Sequence, residues 1–465
     1  MNRDSQATLR VPFDNGDVKE KSTIIQSAAL EPPPPSPAIN DSHANDSERL
    51  DGGIRAWLTV LGGFIALFCS FGQLNAFGTF QAWYSAHQLS HLQPSTISWI
   101  GSLQLWIFFF SGAFVGHAFD MHGPRPIIAL GSLILVFSIM MTSLSTQYYQ
   151  YMLGQGVLLG LGVGMLFYAS LASIATHFKK YRATAIGIAS AGSGVGGTVF
   201  PIILPRLFDA VGFAWAVRIV GFITLAGCAL SLLFTTRHEP DVRCSREPSS
   251  WIDLPALRDA RFMLLAAGSA LVCFGLFIPY FYIASFTDIL SADASSDPKN
   301  QSHSQAPSVS TPLAILNAAS VLGRILPPLL ADLIGPYNML FPSAFLSGLF
   351  CLVLWLPSQQ GAGFQPIIIA FAVLYGFASG AVIAVVPSCV AKISDVSLIG
   401  ARMGMLYTLI SIPSLLGNPA AGALLAHANG SYTDAIVLTA CTILAGSLFI
   451  LSSRLAVNKR MWERV

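Results

Sequence analysis

The chain has 465 residues and a formal net charge of +2; 53% of it is hydrophobic and only 10% charged, with a mean hydropathy of +0.62. Soluble domains carry about a quarter of their residues as charges, so this composition excludes a water-soluble enzyme or binding domain and calls for a membrane protein. Seven cysteines without paired or metal-ligand spacing exclude a disulfide framework and a zinc module.

The first 49 residues are polar, hold Glu31-Pro32-Pro33-Pro34-Pro35 and lack the apolar core of a cleavable leader, so 1–50 reads as a disordered tail. Beyond it, apolar stretches of about 20 residues, enough to cross a hydrocarbon core roughly 30 Å thick, recur to the end. Twelve spans are predicted, at 57–83, 97–118, 127–145, 151–174, 183–205, 213–235, 262–287, 312–331, 339–357, 365–390, 401–425 and 434–455. The expected fold class is an all-α membrane protein with twelve transmembrane helices in two six-helix halves. The halves are 51–235 and 261–456, joined by a charged loop over 236–260 and followed by a tail over 457–465.

Lys and Arg set the orientation, because basic residues near span ends stay on the cytoplasmic side. With both termini inside, the cytoplasmic loops hold Arg55, Arg125, Lys179, Lys180, Arg182, Arg258, Lys392 and Arg402 among others, while the outer loops keep only Arg206 and Lys299. This expects a multi-pass cell-membrane protein, with sequons at Asn300 and Asn429 outside and open to glycosylation.

Between the fourth and fifth spans the sequence HFKKYRATAIGIASAGSGVGG places Gly192, Gly194 and Gly197 in a G-x-G-x-x-G pattern. A dinucleotide loop follows a strand and has an acid about 20 residues later. Here an apolar run from Ala183 to Leu204 surrounds the glycines, and Asp209 comes too early. The pattern is expected to be a smooth packing face between membrane helices.

Asp120-Met121-His122-Gly123-Pro124 after the second span and Asp332-Leu333-Ile334-Gly335-Pro336 after the eighth are offset by 212 residues. The same D-x-x-G-P at the same topological place suggests an internal duplication with a site between its halves.

Gly116, Asp120, Gly123 and Arg125 resemble the G-x-x-x-D-(R/K)-x-G-(R/K) loop of the major facilitator superfamily, with Met121 in place of a basic residue. Asp51-Gly52-Gly53-Ile54-Arg55-Ala56-Trp57 resembles the D-G-G-x-x-W opening of its monocarboxylate transporters. Phe178, Lys180, Arg182, Ala185, Gly187 and Gly192 match their second signature. Gly275 to Tyr282 and Asn418-Pro419-Ala420-Ala421-Gly422 are similar to the fungal branch, and the likeness spans about 51 to 456. Asp120, Gly123, Arg125, Asp332 and Gly335 are accordingly the expected conformational loops.

An ionisable residue inside a span costs about 2.5–3.5 kcal/mol on insertion scales and is a functional candidate by default. Arg324 lies about 12 Å from the cytoplasmic end of the eighth span, eight residues before Asp332. Asn317, Ser320 and Arg324 share a helix face by i, i+3, i+7 spacing. Two readings stand. The guanidinium holds a carboxylate through its fork, or it bonds carbonyls of a helix broken near Pro327 and Pro328. The resemblance implies the first, since the family carries a substrate arginine there.

In that family an acid commonly stands where Ser320 does, and a lysine where Asn75 does, so the usual proton-handling pair is absent. Tyr407, Ser411, Ser414 and Asn418 form a polar stripe on the eleventh span that either lines a cavity or bonds a neighbouring helix. Tyr168, Tyr280, Tyr282, Tyr375 and Phe377 are candidate aromatic walls. His87 and His91 fall in a short outer loop without an acid, so no metal, cofactor or catalytic set is expected, and no nucleic acid. The expected partners are the lipid bilayer and a small organic anion moved by alternating access, with proton coupling open. Rival readings are efflux of an acidic or polyketide-like metabolite, uptake of a riboflavin-like solute, and a membrane sensor that binds without transport.

Overall fold

The computed structural model describes residues 53–236, 254–295, 311–359, 364–394, 398–428 and 430–458. Asp51, Gly52 and the sequon residues Asn300 and Asn429 lie outside the described residues. Every regular element among the described residues is helical.

Among the described residues, eleven helices are long and apolar enough to cross a membrane. One of them, Arg182–Phe234, has 53 residues. At 1.5 Å per residue that is about 80 Å, more than twice a hydrocarbon core. Gly212, with φ 77° and ψ 160°, breaks it into two crossings. The spans are therefore α1 (Ile54–Ala86), α2 (Thr96–His122), α3 (Pro124–Leu144), α4 (Tyr148–His177), α5 (182–211), α6 (213–234), α7 (Ala260–Thr287), α8 (Thr311–Ile334), α9 (Pro336–Gln359), α10 (Gln365–Lys392), α11 (Ile399–His427) and α12 (Thr433–Val457). The twelve predicted spans map onto these in order.

Hydropathy did not reveal the interruptions. α1 breaks at Ser70 and Ala76, α2 at Ser111 and α7 at Phe277, while α4 opens with a π-helical turn over Met152–Leu158. Side chains on outward faces, such as Leu130, Leu133 and Phe137 of α3 and Phe222, Leu225 and Leu233 of α6, are large, apolar and exposed. Such a surface is stable in lipid, and helices satisfy their own backbone there.

Inside, backbones meet where side chains are missing. A Cβ on Gly116 of α2 would overlap the Gly400 carbonyl oxygen of α11, and one on Gly268 of α7 would lie 2.8 Å from the Gly446 carbonyl oxygen of α12. Close approach of this kind lets helices associate in a solvent that offers no hydrophobic drive.

The two D-x-x-G-P segments fold alike. Gly123 and Gly335 take positive φ, 78° and 102°, and each is followed by a proline in the first turn of the next helix. Glycine ends one helix in a conformation other residues resist, and proline starts the next with its ring already fitted.

These contacts separate two costs. Gly123 has open space around a Cβ, so Gly123→Ala bears only the backbone penalty of a conformation held almost solely by glycine, about 1–3 kcal/mol. Gly116→Ala drives a methyl into the Gly400 backbone and adds overpacking of about 1–3 kcal/mol. Thermal unfolding of the purified protein should show both variants destabilised. A Gly116→Ala variant as stable as the parent would mean that α2 and α11 part without cost.

Candidate functional site

α5 makes the seat for the arginine of α8. A Cβ on Gly187 would overlap the Arg324 carbonyl oxygen, and one on Gly194 would overlap Arg324 Nη1 and lie 3.1 Å from Ser320 Oγ. A Cβ on Gly197 would lie 2.6 Å from Asn317 Oδ1 and 2.9 Å from Asn75 Cβ. Round the helix, Gly192 and Gly196 press on the Phe64 and Phe68 backbone of α1. The glycine run therefore packs against two helices at once.

Asn317, Ser320 and Arg324 share one face and are each 0% exposed. Asn317 Nδ2 donates to the Leu313 carbonyl at 3.1 Å, which leaves Oδ1 without a partner, and Ser320 Oγ donates to the Asn317 carbonyl at 2.6 Å. Asn75 Nδ2 reaches the Ser193 carbonyl at 3.4 Å. Arg324 differs from all of these. Among the described residues none of Nε, Nη1 and Nη2 has a hydrogen-bond partner, and the ion pair found there joins Arg261 to Asp259 instead. The guanidinium does not bond the carbonyls near Pro327 and Pro328. A cation out of water without an acceptor costs several kcal/mol. A carboxylate offsets that cost through two parallel charge-assisted bonds.

Between the helices there is also a small apolar chamber of about 30 Å³. Its wall comes from Phe71 of α1, Phe108 and Phe109 of α2, Phe167 of α4, Ser269, Cys273, Leu276 and Phe277 of α7, Val382, Ile383 and Val386 of α10, and Tyr407 and Ile410 of α11. The rings are ordered as pairs. Phe109 and Tyr407 lie 21° from parallel with centroids 5.8 Å apart, and Tyr168 stacks on Phe108 at 5.5 Å and 5°. The Tyr168 hydroxyl donates to the Phe108 carbonyl at 3.2 Å. Phe277 stands 6.2 Å from Tyr280, and Tyr280, with its hydroxyl 3.0 Å from Ser379 Oγ, lies within electrostatic reach of Arg324. Farther along α1 and α7, Phe77 and Phe281 meet at 5.6 Å.

The other expected walls lie elsewhere. Tyr375 donates to the Leu276 carbonyl at 2.8 Å and stacks on Phe371, and Tyr282 donates to the Asn418 carbonyl at 3.0 Å. Phe377 is exposed. The α11 stripe divides as well. Tyr407 faces the chamber, Ser411 bonds the Thr408 carbonyl at 2.7 Å, and the Ser414 hydroxyl and Asn418 amide are buried without partners.

At one end of the bundle the two repeat aspartates reach across to other helices. Asp332 of α8 accepts from the Ala183 and Thr184 amides at 3.0 and 2.8 Å and from the Thr184 hydroxyl at 2.6 Å. Asp120 of α2 accepts from the Ala401 amide at 3.0 Å. Neither α5 nor α11 has a side-chain cap of its own. Each carboxylate satisfies orphan amides at the positive end of a helix from the other set of six spans. Arg182 adds a bond to the Ala391 carbonyl of α10 at 3.2 Å.

The Major Facilitator Superfamily profile matches residues 63–328. The chain is 39% identical over 408 residues to the "MFS-type transporter 1" of Ophiocordyceps sp., covering 88% of this chain and 87% of that one. It is 36% identical over 423 residues to the "Fujikurins efflux protein" of Gibberella fujikuroi, covering 91% and 87%. Its fold matches the crystal structure of the human organic anion transporter MFSD10 with a TM-score of 0.61 at 15% identity, over 87% of this chain and 99% of that one.

The chain belongs to the major facilitator superfamily. As a facilitator it is a multi-pass membrane transporter rather than an enzyme, and its D-x-x-G-P loops have a physical role as helix caps exchanged between the two sets of spans. Arg125 of the same facilitator loop is exposed. Of the remaining motif residues, Trp57 packs edge-on against Phe178 at 5.3 Å, Lys180 lies over the Tyr181 ring, and Gly187 and Gly192 serve the α5 contacts. The chamber lining other than Tyr407 escaped sequence reasoning. The Ile107-Phe108-Phe109-Phe110 and Leu166-Phe167-Tyr168 runs were its only trace.

A capping carboxylate is worth about 0.5–2 kcal/mol. Asp332→Ala should therefore shift the balance between the sealed and parted α5–α8 end by about 2–30-fold. Spin labels on exposed Tyr181 and Leu333 would read this as a new, longer distance population in pulsed EPR. An unchanged distribution would show that the caps do not hold the seam.

Proposed function

We propose that this facilitator exports an organic acid by alternating access, with Arg324 holding the anionic group. The observation that carries the reading is a fully buried guanidinium with three unpartnered nitrogens. The relative named for fujikurins efflux favours export. The motif likeness at Trp57, Lys180, Arg182, Gly187 and Gly192 supports a place beside the monocarboxylate transporters. Asn317 Oδ1 and Asn75, flanking Gly197, offer polar contacts to the cargo.

Lys180, Arg182, Arg125 and Arg402 gather at the end sealed by Asp120 and Asp332, so that end faces the cytoplasm. Export then requires the two caps to part for loading. Asn75 cannot carry a proton as a lysine would. Transport should therefore follow an imposed pH gradient less steeply than in a lysine-bearing relative, and vesicle uptake that collapses on dissipating the gradient would contradict this.

Flux of radiolabelled organic acids in reconstituted vesicles separates a transporter from a binding-only sensor and tests the arginine. Arg324→Lys keeps the charge and loses the fork. Arg324→Lys and Arg324→Ala should both reach the membrane folded and lose most flux, with lysine weakening apparent affinity about tenfold, or about 1.4 kcal/mol. Unchanged affinity in Arg324→Lys would rule out bidentate recognition. Failure of both variants to fold would make the residue structural.

A further inference from the structure

Along the α5–α8 seam the packing changes character beyond Asn317. Gly187, Gly194 and Gly197 hold the two helices in contact, and the last of these closes on Asn317, with a Cβ on Gly197 only 2.6 Å from Asn317 Oδ1. One residue farther the helices leave a cleft of about 530 Å³. Thr198, Ile202 and Arg206 of α5 line one side, and Ala314, Ile315 and Ala318 of α8 the other. Pockets for drug-sized molecules span about 300–1,000 Å³, so there is room for one here.

Small side chains on α8 make that room. At the repeat offset of 212 residues Ala318 corresponds to Trp106 of α2, whose ring stacks on Phe110 at 5.1 Å. The cleft also opens sideways. Ile202 is 42% exposed, and Ala318 begins an exposed face of α8 that Leu322 and Leu326 continue at i+4 spacing, the kind of surface that meets lipid. Arg206 brings a charge to it. It lies five residues before the end of α5, about 8 Å by helix rise, at the end of that helix away from Arg182 and the Asp332 cap. Its side chain is exposed, and among the described residues no ion pair joins it to Asp209, one turn on. An apolar trough with a guanidinium at its rim is complementary to a molecule with an apolar body and an anionic head.

We propose that this cleft is where the exported acid rests after leaving the centre, its apolar body between α5 and α8 and its anionic group on Arg206, before it passes sideways into the outer leaflet. The cargo class is then an amphipathic organic acid. Arg324 and Arg206 stand on one seam, so the acid group moves from one guanidinium to the other when the contact of Gly197 with Asn317 parts. The direction rests on the export reading above, but the cleft and the Arg324 seat can fail separately.

The test uses the purified full chain in phosphatidylcholine nanodiscs and decanesulfonate bearing a terminal diazirine, a permanently charged amphipathic probe. Light should attach it within 198–206 and 311–318, read by peptide mass spectrometry. Arg206→Gln should lower this labelling at least about fivefold, whereas Arg324→Ala should leave it within about twofold. Unlabelled decanesulfonate should compete, and neutral decanol should not. In vesicles loaded with tritiated decanesulfonate, Ala318→Trp puts the repeat's larger side chain into the cleft and should slow efflux at least about fivefold, with cytoplasmic-side affinity within about twofold. If that variant does not give a monodisperse protein, efflux by Arg206→Gln decides, since an exposed side chain leaves the packing intact. Labelling confined to other segments would overturn the proposal, as would equal competition by decanol. Displacement of the probe by phosphatidylglycerol, with efflux unchanged in the variant, would make the cleft a lipid crevice and overturn it as an exit. If Arg324→Lys keeps its affinity for organic acids while the cleft is labelled as expected, the anion seat falls and the cleft stands.

Discussion

The approach of α5 to α8 at Gly187, Gly194 and Gly197 governs the rest of the molecule. Any side chain at these positions would strike the Arg324 backbone, its guanidinium or Asn317. The absence of side chains brings two helices of separate repeats together along their length. One result is that Arg324 is shut off from water with no protein acceptor. Another is that Asp332, two turns farther along α8, lies at the first amides of α5 and caps them. A single packing decision therefore sets both the burial of Arg324 and the cap at the end of α5.

The α2–α11 crossing repeats the same design through Gly112, Gly116, Gly400 and Gly404, with Asp120 as its cap. Duplication supplies the frame, and function requires its departures. Arg324 against Gly112 is the sharpest departure, since one repeat carries a guanidinium where the other has no side chain. A molecule with identical halves would present identical surfaces to its cargo and could not orient one with two unlike ends. The asymmetry is thus a source of specificity that symmetric packing makes room for.

Much of this was legible in the chain. Span positions follow from hydropathy, because a lipid core tolerates few other patterns. The arginine was legible because charge inside a span is rare, and the paired aspartates because D-x-x-G-P recurs. The chamber was not, since a phenylalanine facing lipid and one facing a cavity look alike in a sequence where most side chains are apolar. The breaks at Ser70, Ala76 and Phe277 were hidden for a related reason: hydropathy averages over them, and Pro279 alone hints at the last. Tyr375 and Tyr282 read as walls because a tyrosine in a span needs a polar partner, and here backbone carbonyls supply it.

The same crossings connect cargo to gate. Gly112 lies against Gly404, Tyr168 covers Gly112, and Tyr407, one turn from Gly404, faces the chamber. Two turns beyond Gly112 on α2 is Asp120, bonded to Ala401. Any displacement of Tyr168 or Tyr407 therefore bears on the crossing itself, and the helix connects that crossing to the cap. On the other seam, in the proposed cycle, a carboxylate held by Arg324 pulls on α8, whose far end carries Asp332. Tightly packed helices of this kind move between discrete arrangements rather than deform continuously. Loading the centre and releasing the end are then two consequences of shifting the same pair of helix crossings.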